Sequence, residues 1–349
     1  MSRMLSCLLV VAAAVSTASA TDRHGRDLAV VMTNDPASNQ VEVYDVGTGV
    51  LLQRLSTRGK GGAGGNAHGV RQLDGDLIAA VNFGSSSVTL FRREGDRLRF
   101  DGQVQTTSQP VSVEFGNGHM YVAGVSTVDS FVMHEGEVGR IDGTAQLELT
   151  GGGTPEEGST AQVGLLDDRH LLVTLKAPAP GTVDVIPLRG GAVSEAPPLV
   201  VPAPAGSLTP FGFFTDGDGS ALVTLAGSNE DALFRGGAFV DVVSAGQGAP
   251  CWMTRAGQYV FVANTGGRTI GRVIGTGLHV FVDAQVAAPV PTGGPADVDA
   301  ADGVLAVVDH GGGSAHLTLF GYNAFGELGR PKTITLGGAN ANGVALLVR

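Results

Sequence analysis

Three side chains in the sequence could take part in acid–base or electrostatic catalysis: His68, Lys176 and His310. A neutral imidazole accepts a proton near neutral pH, so either histidine could act as a general base. A lysine ammonium can stabilise the negative charge that develops on a carbonyl oxygen. Each residue also has a structural interpretation, as a histidine bonded to backbone or as a solvated loop lysine. The sequence leaves both interpretations open.

Seven further polar residues are candidates for binding a small molecule, because they flank short apolar segments where the chain changes direction. Three of them are asparagines at the ends of such segments, where the side chain often bonds to the backbone of a turn instead. One aspartate could orient the histidine beside it, although neighbours in a sequence often point apart. The seven candidates are Asn34, Asn82, Gln162, Asn264, Arg268, Asp309 and Asn342.

Two glycine-rich motifs resemble ligand-binding loops but lack the required surroundings. Residues 59–64 match the spacing G-x-G-x-x-G, yet a strand follows them, whereas a phosphate-binding loop needs a helix N-terminus. Residues 216–219 (DGDG) lack the further oxygen ligands of a calcium loop and fit a hairpin turn. The sequence therefore predicts no cofactor and no metal.

The positions of the apolar residues predict an all-β fold. Short, mostly alternating apolar segments are separated by turn residues throughout, and no segment has sustained helical periodicity. One unit recurs, with a strand, a polar turn, a second strand, a polar loop and a third strand. Residues 66–91 show it, and residues 97–105 can add a fourth strand.

One position registers the copies of this unit along the chain. The intervals between successive copies are 42, 52, 48, 40, 45 and 47 residues by subtraction. A period near 45 with four antiparallel strands per unit is typical of propeller blades, so seven copies predict a seven-bladed β-propeller. The registering residues are His68, Pro110, Gln162, Pro210, Pro250, Pro295 and Asn342.

The two ends of the chain complement each other in this arrangement. Residues 28–55 form a blade that lacks its first strand, and residues 341–349 form a first strand that lacks a blade. Joining them closes the ring and removes two exposed sheet edges. We therefore expect deletion of residues 341–349 to be strongly destabilising.

Residues 1–20 have the features of a cleavable signal peptide, with Arg3, an apolar stretch too short to span a bilayer, and small residues before Thr21. We therefore expect an exported protein, secreted or periplasmic, whose residues 21–349 form a single propeller domain without a membrane span. Only Cys251 then remains, which excludes an intramolecular disulfide. The formal charge of −11 argues against a nucleic-acid partner, and we expect a monomer.

The topology of a blade sorts the candidate residues. Four strands, A to D, run outward from a central channel and alternate in direction, so the loops that precede strand A and follow strand B open on one face. This places the ten candidate residues around the channel mouth on that face, where convergent polar groups could bind a ligand. We expect Trp252 to pack in the core between blades and Cys251 to be a buried apolar side chain.

Several segments resemble a known family across essentially the whole mature chain. VMTNDPASNQVEVYDVGTG (31–49), VNFGSSSVTLFR (81–92), QPVSVEF (109–115), TPFGF (209–213) and GAPCWM (248–253) are similar to the bacterial lactonase-like seven-bladed propellers. These proteins are related to 6-phosphogluconolactonase and 3-carboxymuconate cyclase. The resemblance implies hydrolysis of a sugar or muconate-type lactone at the channel mouth, by an activated water and a group that stabilises the oxyanion.

The chain departs from the catalytic pattern that the resemblance implies, which places His, Arg and Glu around the channel. The residues after the strand-A prolines include no Arg-His pair, and the loop at Lys176 carries no carboxylate. Two functions therefore remain open. One is a lactone hydrolase, and the other is a non-catalytic exported propeller that binds a small molecule, a glycan or a protein. Export also fits poorly with a cytosolic phosphogluconolactone as substrate.

Overall fold

The computed structural model describes residues 25–348, and these fold as seven antiparallel β-sheets arranged as the blades of a closed ring. The expected signal peptide, residues 1–20, lies outside the described residues. Between residues 25 and 348 no helix is long and apolar enough to cross a membrane. The sequence prediction of a seven-bladed β-propeller is confirmed.

The strands group into blades in chain order, except that the last strand joins blade 1. Blade 4 has an additional short strand, β15 (Ala192–Val193), that pairs with β14 (Thr182–Arg189). A 3₁₀ turn, Phe83–Ser85, follows β5. The strands are β1 (Leu28–Met32), β2 (Gln40–Asp45), β3 (Leu51–Ser56) and β29 (Val344–Leu347) in blade 1; β4 (Val70–Leu73), β5 (Leu77–Asn82), β6 (Ser87–Glu94) and β7 (Arg97–Gln105) in blade 2; β8 (Pro110–Gly116), β9 (His119–Gly124), β10 (Thr127–His134) and β11 (Glu137–Gln146) in blade 3; β12 (Thr160–Asp167), β13 (His170–Leu175), β14 (Thr182–Arg189), β15 (Ala192–Val193) and β16 (Leu199–Pro202) in blade 4; β17 (Pro210–Thr215), β18 (Ser220–Leu225), β19 (Glu230–Arg235) and β20 (Ala238–Ser244) in blade 5; β21 (Pro250–Ala256), β22 (Tyr259–Asn264), β23 (Thr269–Thr276) and β24 (His279–Pro289) in blade 6; and β25 (Gly294–Ala301), β26 (Val304–Gly311), β27 (Ser314–Gly321) and β28 (Lys332–Thr335) in blade 7.

Burial explains the two apolar patterns in the sequence. The second strand of a blade is covered on both faces by neighbouring blades, and every residue of β5 and β9 is buried. Such strands need no polar alternation. The outer strands β7 and β24 alternate between exposed and less exposed residues, since only one face packs on the core. The core therefore lies between the blades.

Strand β29 closes the ring by completing blade 1. It pairs antiparallel with β1, from Leu28 opposite Leu347 to Val31 opposite Val344. This confirms the closure predicted from the two ends of the chain. Because the first strand of blade 1 comes from the far end of the chain, folding of that blade requires the whole ring.

Side chains of the inner strands bond to the backbone of the next inner strand around the channel. Gln162 of β12 donates to the carbonyl of Phe213 at 2.8 Å and accepts the amide N–H of the same residue at 2.9 Å. At the closing junction, Asp299 of β25 accepts the N–H of Leu346 at 2.8 Å. These bonds satisfy polar groups that face the buried channel wall.

Strand pairing corrects the register of the repeat at His68. In blade 2, Val70 pairs with Ala80, which lies two residues before the end of β5. In blade 3, Val113 pairs with Val122, which lies two residues before the end of β9. Val70 and Val113 therefore occupy equivalent positions in their blades. Val113 lies three residues after Pro110, so the corresponding position in blade 2 is three residues before Val70, at residue 67. His68 therefore corresponds to the residue after the proline. The sequence alignment was wrong by one residue there, because an alanine holds the proline position.

The glycine run before His68 is the crossing between blades 1 and 2. A Cβ atom at Gly61 would lie 2.4 Å from the backbone carbonyl carbon of Asn34, so this position requires glycine. Gly61 N–H bonds to the carbonyl of Asp35 at 2.8 Å. The glycines thus permit close packing against the loop after β1, and a strand follows them as predicted.

Replacing a core residue of the closing strand tests the contribution of ring closure. Leu346 is fully buried, so Leu346→Ala should lower the free energy of unfolding by about 2–5 kcal/mol, as measured by urea denaturation. Leu278 is 59% exposed, and Leu278→Ala should change that free energy by less than about 0.5 kcal/mol. Equal stability of the two variants would contradict the importance of the closing strand.

Candidate functional site

Two cavities occupy the central channel and open on opposite faces of the ring. The crossing face carries the blade-to-blade crossings, and the hairpin face carries the turns between the first and second strands. The channel cavity, about 300 Å³, opens on the hairpin face, and the mouth cavity, about 590 Å³, opens on the crossing face. The chain therefore offers two distinct sites, and only the mouth cavity lies where the sequence placed the candidate residues.

The sole tryptophan separates the two cavities. Trp252 Nε1 of blade 6 donates to the carbonyl of Asn66, which precedes blade 2, at 3.0 Å. The indole is 6% exposed and packs edge to face on Phe211 of blade 5, with ring centroids 5.3 Å apart. The predicted core packing is confirmed, and the indole in addition spans the channel.

His68 lines the channel cavity rather than the mouth, which corrects its expected position. Its backbone is left-handed, with φ 57°, a conformation that histidine adopts more readily than most residues. Its Nδ1 lies 3.6 Å from Oε2 of Glu114, just beyond hydrogen-bonding range. Nδ1 has no hydrogen-bond partner among residues 25–348. The imidazole therefore faces a carboxylate on one side and the cavity on the other.

Glu114 is held in place by a bidentate ion pair. Arg71 Nη2 lies 3.1 Å from both carboxylate oxygens of Glu114, and the N–H of Phe115 donates to Oε1 at 2.9 Å. No hydrogen bond to Arg71 Nη1 is found in the described part of the chain, and the Arg71 side chain is 29% exposed to the cavity. One guanidinium nitrogen thus remains available to a ligand.

The pKa shifts of this group assign its protons. Burial raises the pKa of Glu114, but the Arg71 charge, His68 and the Phe115 N–H outweigh it and bring that pKa to about 2. Burial and the Arg71 charge lower the pKa of His68 below its usual value, although Glu114 opposes them. At neutral pH the glutamate is therefore ionised and the histidine neutral. The nearby carboxylate favours the tautomer that carries its proton on Nδ1, and in that tautomer the Nε2 lone pair is free.

The two acidic side chains that blade 7 contributes to the channel wall are buried and hydrogen-bonded to the backbone of the closing strand. Asp297 accepts the N–H of Val344 at 3.3 Å, and burial raises its pKa to about 8, so it carries a proton at neutral pH. Burial also raises the pKa of Asp299, although the Arg71 charge lowers it. Both carboxyls serve ring closure through the bonds to β29.

The rim of the channel cavity at the hairpin face is formed by a second ion pair. The Arg255 guanidinium contacts the Asp216 carboxylate and lies over the ring of Phe214, 5.4 Å from its centroid. Arg71 and Arg255 are the two basic side chains that line the cavity, and each faces a carboxylate. The cavity therefore offers no unpaired cation to an anionic ligand.

Lys176 and His310 lie at the crossing face, where the sequence placed them. Lys176 Nζ donates to the carbonyls of Gly65 and Thr160, the latter at 3.2 Å, and burial lowers its pKa to about 8. No acidic side chain of residues 25–348 reaches it. His310 Nε2 lies 2.7 Å from the carbonyl of Ala341 and lines the mouth cavity. Neither residue has a carboxylate that could orient or activate it.

Asp309 does not orient His310. It is fully buried, accepts a hydrogen bond from Thr318 Oγ1 at 2.8 Å, and lies 3.4 Å from Nδ1 of His316. The side chains of Asp309 and His310 therefore point apart, which agrees with the structural interpretation of this pair.

The remaining candidates divide into structural residues and mouth residues. Asn82 accepts a hydrogen bond from Asn39 and donates to Thr89, Asn264 donates to Thr269, and both asparagines are buried. These bonds join side chains, so both residues are structural, although not through the local backbone bonds that turn chemistry predicts. Gln162 bridges two inner strands and also lines the channel cavity, and Arg268 is exposed on its loop.

Asn34 and Asn342 line the mouth cavity. Asn34 Nδ2 donates to the carbonyl of Ala63 at 2.8 Å, so it fastens the glycine crossing. Asn342 Nδ2 donates to Oδ1 of Asn66 at 2.5 Å, whereas its own Oδ1 has no partner among the described residues although the residue is 6% exposed. An unpaired buried acceptor is unfavourable unless a ligand or water meets it.

Sequence reasoning missed Arg71 and Glu114. Each immediately follows the corresponding valine of its inner strand, Val70 or Val113, and Asp299 follows Val298 in the same way. These three charged residues therefore occupy one layer of the channel. A blade alignment in the correct register would have shown the layer, since it depends on the one-residue shift at His68.

Comparisons with known proteins support the fold. No protein-family profile matches the chain, and no curated protein sequence matches it. Solved structures do. The periplasmic gluconolactonase PpgL of Pseudomonas aeruginosa is 17% identical, with a TM-score of 0.66 over 92% of this chain and 98% of that one. A Bacteroides uniformis protein provisionally assigned as a 6-phosphogluconolactonase is 14% identical, with a TM-score of 0.67 over 92% and 99%.

A protein from Lactobacillus plantarum is similar to the same extent, with 16% identity and a TM-score of 0.67 over 92% of this chain and 99% of that one. At these identities the likeness concerns the fold. The chain thus has the architecture of the lactonase-like seven-bladed propellers.

The Arg71–Glu114 pair makes stability depend on pH in a defined window. Because the pKa of Glu114 is about 2 in the folded protein and near 4.5 when exposed, its contribution is present above pH 4.5 and is lost between pH 4.5 and about 2. Glu114→Gln should lower the free energy of unfolding by about 1.5–3 kcal/mol at pH 7. The difference from the wild type should shrink as the pH falls through that window, as urea denaturation at several pH values would show.

Glu94 provides the matched control, since its carboxylate pairs with Arg99 on the surface and is 60% exposed. Glu94→Gln should change the free energy of unfolding by at most about 1 kcal/mol. A pH-independent difference between Glu114→Gln and the wild type would refute the assigned ionisation.

Proposed function

We propose that the protein hydrolyses an unphosphorylated lactone in the channel cavity, with His68 as the general base. The observation that carries the proposal is the position of the imidazole between the Glu114 carboxylate and the cavity. A neutral histidine whose Nδ1 proton faces a carboxylate presents a basic Nε2, which is the arrangement that activates water. The lactonase-like architecture of the chain agrees with this chemistry.

The reaction follows from the groups that line the cavity. His68 Nε2 accepts a proton from a water molecule as the water oxygen bonds to the lactone carbonyl carbon. The carbonyl oxygen becomes an oxyanion, and Arg71 Nη1 is the group placed to stabilise it. The tetrahedral intermediate then collapses, the bond to the ring oxygen breaks, and the ring oxygen takes the proton from His68. The product is the open-chain hydroxy acid.

Glu114 positions the His68 imidazole and does not itself react. Its carboxylate lies 3.6 Å from Nδ1 and stabilises the imidazolium that forms during the reaction, and Arg71 fixes the orientation of the carboxylate. Because its pKa of about 2 keeps it ionised, it does not itself accept the proton from water.

The charge of the cavity supports an uncharged substrate. A phosphorylated lactone needs cations that are free to contact its phosphate, and both arginines of the cavity face carboxylates. A neutral sugar lactone avoids this requirement, and its carboxylate product meets Glu114, which favours release. The signal peptide expected in residues 1–20 would place the reaction outside the cytoplasm, which also agrees with a substrate that is not a metabolic phosphate ester.

A non-catalytic binding function is the second candidate, and the mouth cavity supports it. This larger cavity presents the Trp252 indole and the unpartnered Oδ1 of Asn342 to the solvent side of the ring. A ligand with hydroxyl donors could satisfy that oxygen. If the protein hydrolyses no lactone, this cavity is the site to examine for binding.

Substitution of each histidine distinguishes the two faces of the ring. His68→Ala should reduce kcat/KM for glucono-δ-lactone by about 10²–10⁴-fold, because the general base is lost. Hydrolysis can be followed by acid release with an indicator dye, after subtraction of the spontaneous rate. In His310→Ala and Lys176→Met the rate should stay within about twofold, since both side chains lie beyond Trp252. Loss of activity in those variants with full activity in His68→Ala would place the reaction at the mouth instead.

The pH dependence of the reaction tests the protonation state of His68. Since burial lowers the pKa of His68, kcat/KM should rise with pH and reach its plateau below the usual histidine pKa of about 6.5. In Glu114→Gln the midpoint should move to lower pH and the plateau should fall, because the carboxylate that favours the imidazolium is gone. A midpoint near pH 8 would instead point to the amine of Lys176.

A further inference from the structure

A second concavity adjoins the channel cavity on the hairpin face. This groove, about 140 Å³, runs between blades 5 and 6, and it shares Phe214 and Arg255 with the channel cavity. The two spaces therefore adjoin at these two side chains. A molecule whose reacting ring lies beside His68 can extend over Phe214 into the groove without a change in the backbone.

The groove is lined by uncharged polar groups, by backbone and by four charged side chains. Its walls carry Ser220, Gln258 and Thr276, together with the backbone of Gly275 and Gly277. Leu222, Leu233 and Val260 form its floor, but each is only about 5–6% exposed and presents little apolar surface. A hydrocarbon chain would gain little burial here, whereas a polyhydroxylated unit finds donors and acceptors along its length.

The charged groups of the groove are already engaged. Asp218 Oδ1 accepts hydrogen bonds from the N–H and the hydroxyl of Ser220, and Arg235 Nη1 donates to the carbonyl of Gly277 at 2.7 Å. Arg255 contacts Asp216 and donates from Nε to the carbonyl of Gly257 at 2.7 Å. The groove carries two aspartates and two arginines, so its charges balance, and their hydrogen bonds are already made within the protein, which favours a neutral extension.

The junction itself suits a sugar ring. Phe214 is half-buried, with the Arg255 guanidinium on one side of its ring. Aromatic side chains that are fixed by packing provide an apolar face for the C–H groups of a pyranose while the hydroxyls reach the polar walls. Phe214 is such a side chain, because it packs against the buried cluster between blades 5 and 6.

We propose that the substrate is a glycosylated aldonolactone, with the lactone ring in the channel cavity beside His68 and a second, neutral sugar unit in the groove on Phe214. This inference rests on the proposed lactone hydrolase and extends it by naming a substrate class. Two sugar units correspond to the two adjoining spaces. The two arginines of the groove are balanced by two aspartates, and neither space has a continuous apolar wall for an acyl chain.

The experiment compares maltobiono-δ-lactone with glucono-δ-lactone as substrates of the wild type. Contacts of the second sugar in the groove should raise kcat/KM for the disaccharide lactone by about tenfold or more. Gln258→Trp, which fills the groove from an exposed position, should remove most of this preference while kcat/KM for glucono-δ-lactone changes by less than about twofold. Phe214→Ala should also remove most of the preference, but because Phe214 lines the channel cavity as well, this variant is judged by the ratio of the two kcat/KM values alone. Phe325→Ala, at a phenylalanine that is 70% exposed elsewhere, should leave both rates unchanged.

The outcomes separate the two proposals. If the wild type hydrolyses the monosaccharide lactone and shows no preference for the disaccharide lactone, the substrate class is wrong and the hydrolase stands. If the preference exists but survives both groove variants, the second sugar lies elsewhere and the assignment of the groove is overturned. Hydrolysis of neither lactone would overturn the hydrolase itself, and the substrate class with it. Since Gln258 is on the surface, its variant remains informative even if Phe214→Ala fails to fold.

Discussion

The pairing of β29 with β1 is the interaction on which every position in the channel depends. Each blade contributes one inner strand to the wall, and the wall has a defined diameter only when the seventh and first blades are joined. Asp297 and Asp299 reinforce this junction through bonds to Val344 and Leu346. Burial of Asp297 lowers the stability of the folded protein at neutral pH, because the buried carboxyl keeps a proton that it would release in the unfolded chain. Closure of the channel wall therefore requires carboxyl groups that are unfavourable to bury.

The same closed wall creates the electrostatics of the candidate site. Charged groups that line a narrow channel lose much of their hydration, so they persist only when they are paired. Arg71 and Glu114 satisfy each other from neighbouring blades, and His68 remains neutral beside them. A base, a fixed carboxylate and one unengaged guanidinium nitrogen thus result from the requirement to pair buried charge. That requirement also explains why the cavity suits an uncharged ligand.

Much of the fold could be predicted from the sequence, and the site could be predicted only in part. Blade number and closure follow from a period and from two complementary ends, which are local features of the chain. His68 was recognised as a departure from the repeat, but the alignment set it one residue out of register and on the wrong side of Trp252. Arg71 and Glu114 escaped notice for the same reason, since their common layer becomes visible only after β4 and β8 are paired with their neighbours.

The sequence by itself determined the strands, the seven blades and the DGDG hairpin, because these depend on residues close together in the chain. The tertiary structure alone decided which polar side chains meet. Arg71 reaches Glu114 across 43 residues, and Trp252 reaches Asn66 across 186. Such contacts depend on the diameter and twist of the closed ring, which no local pattern encodes. The division of the channel into two cavities, with His68 in one and His310 in the other, follows from those contacts.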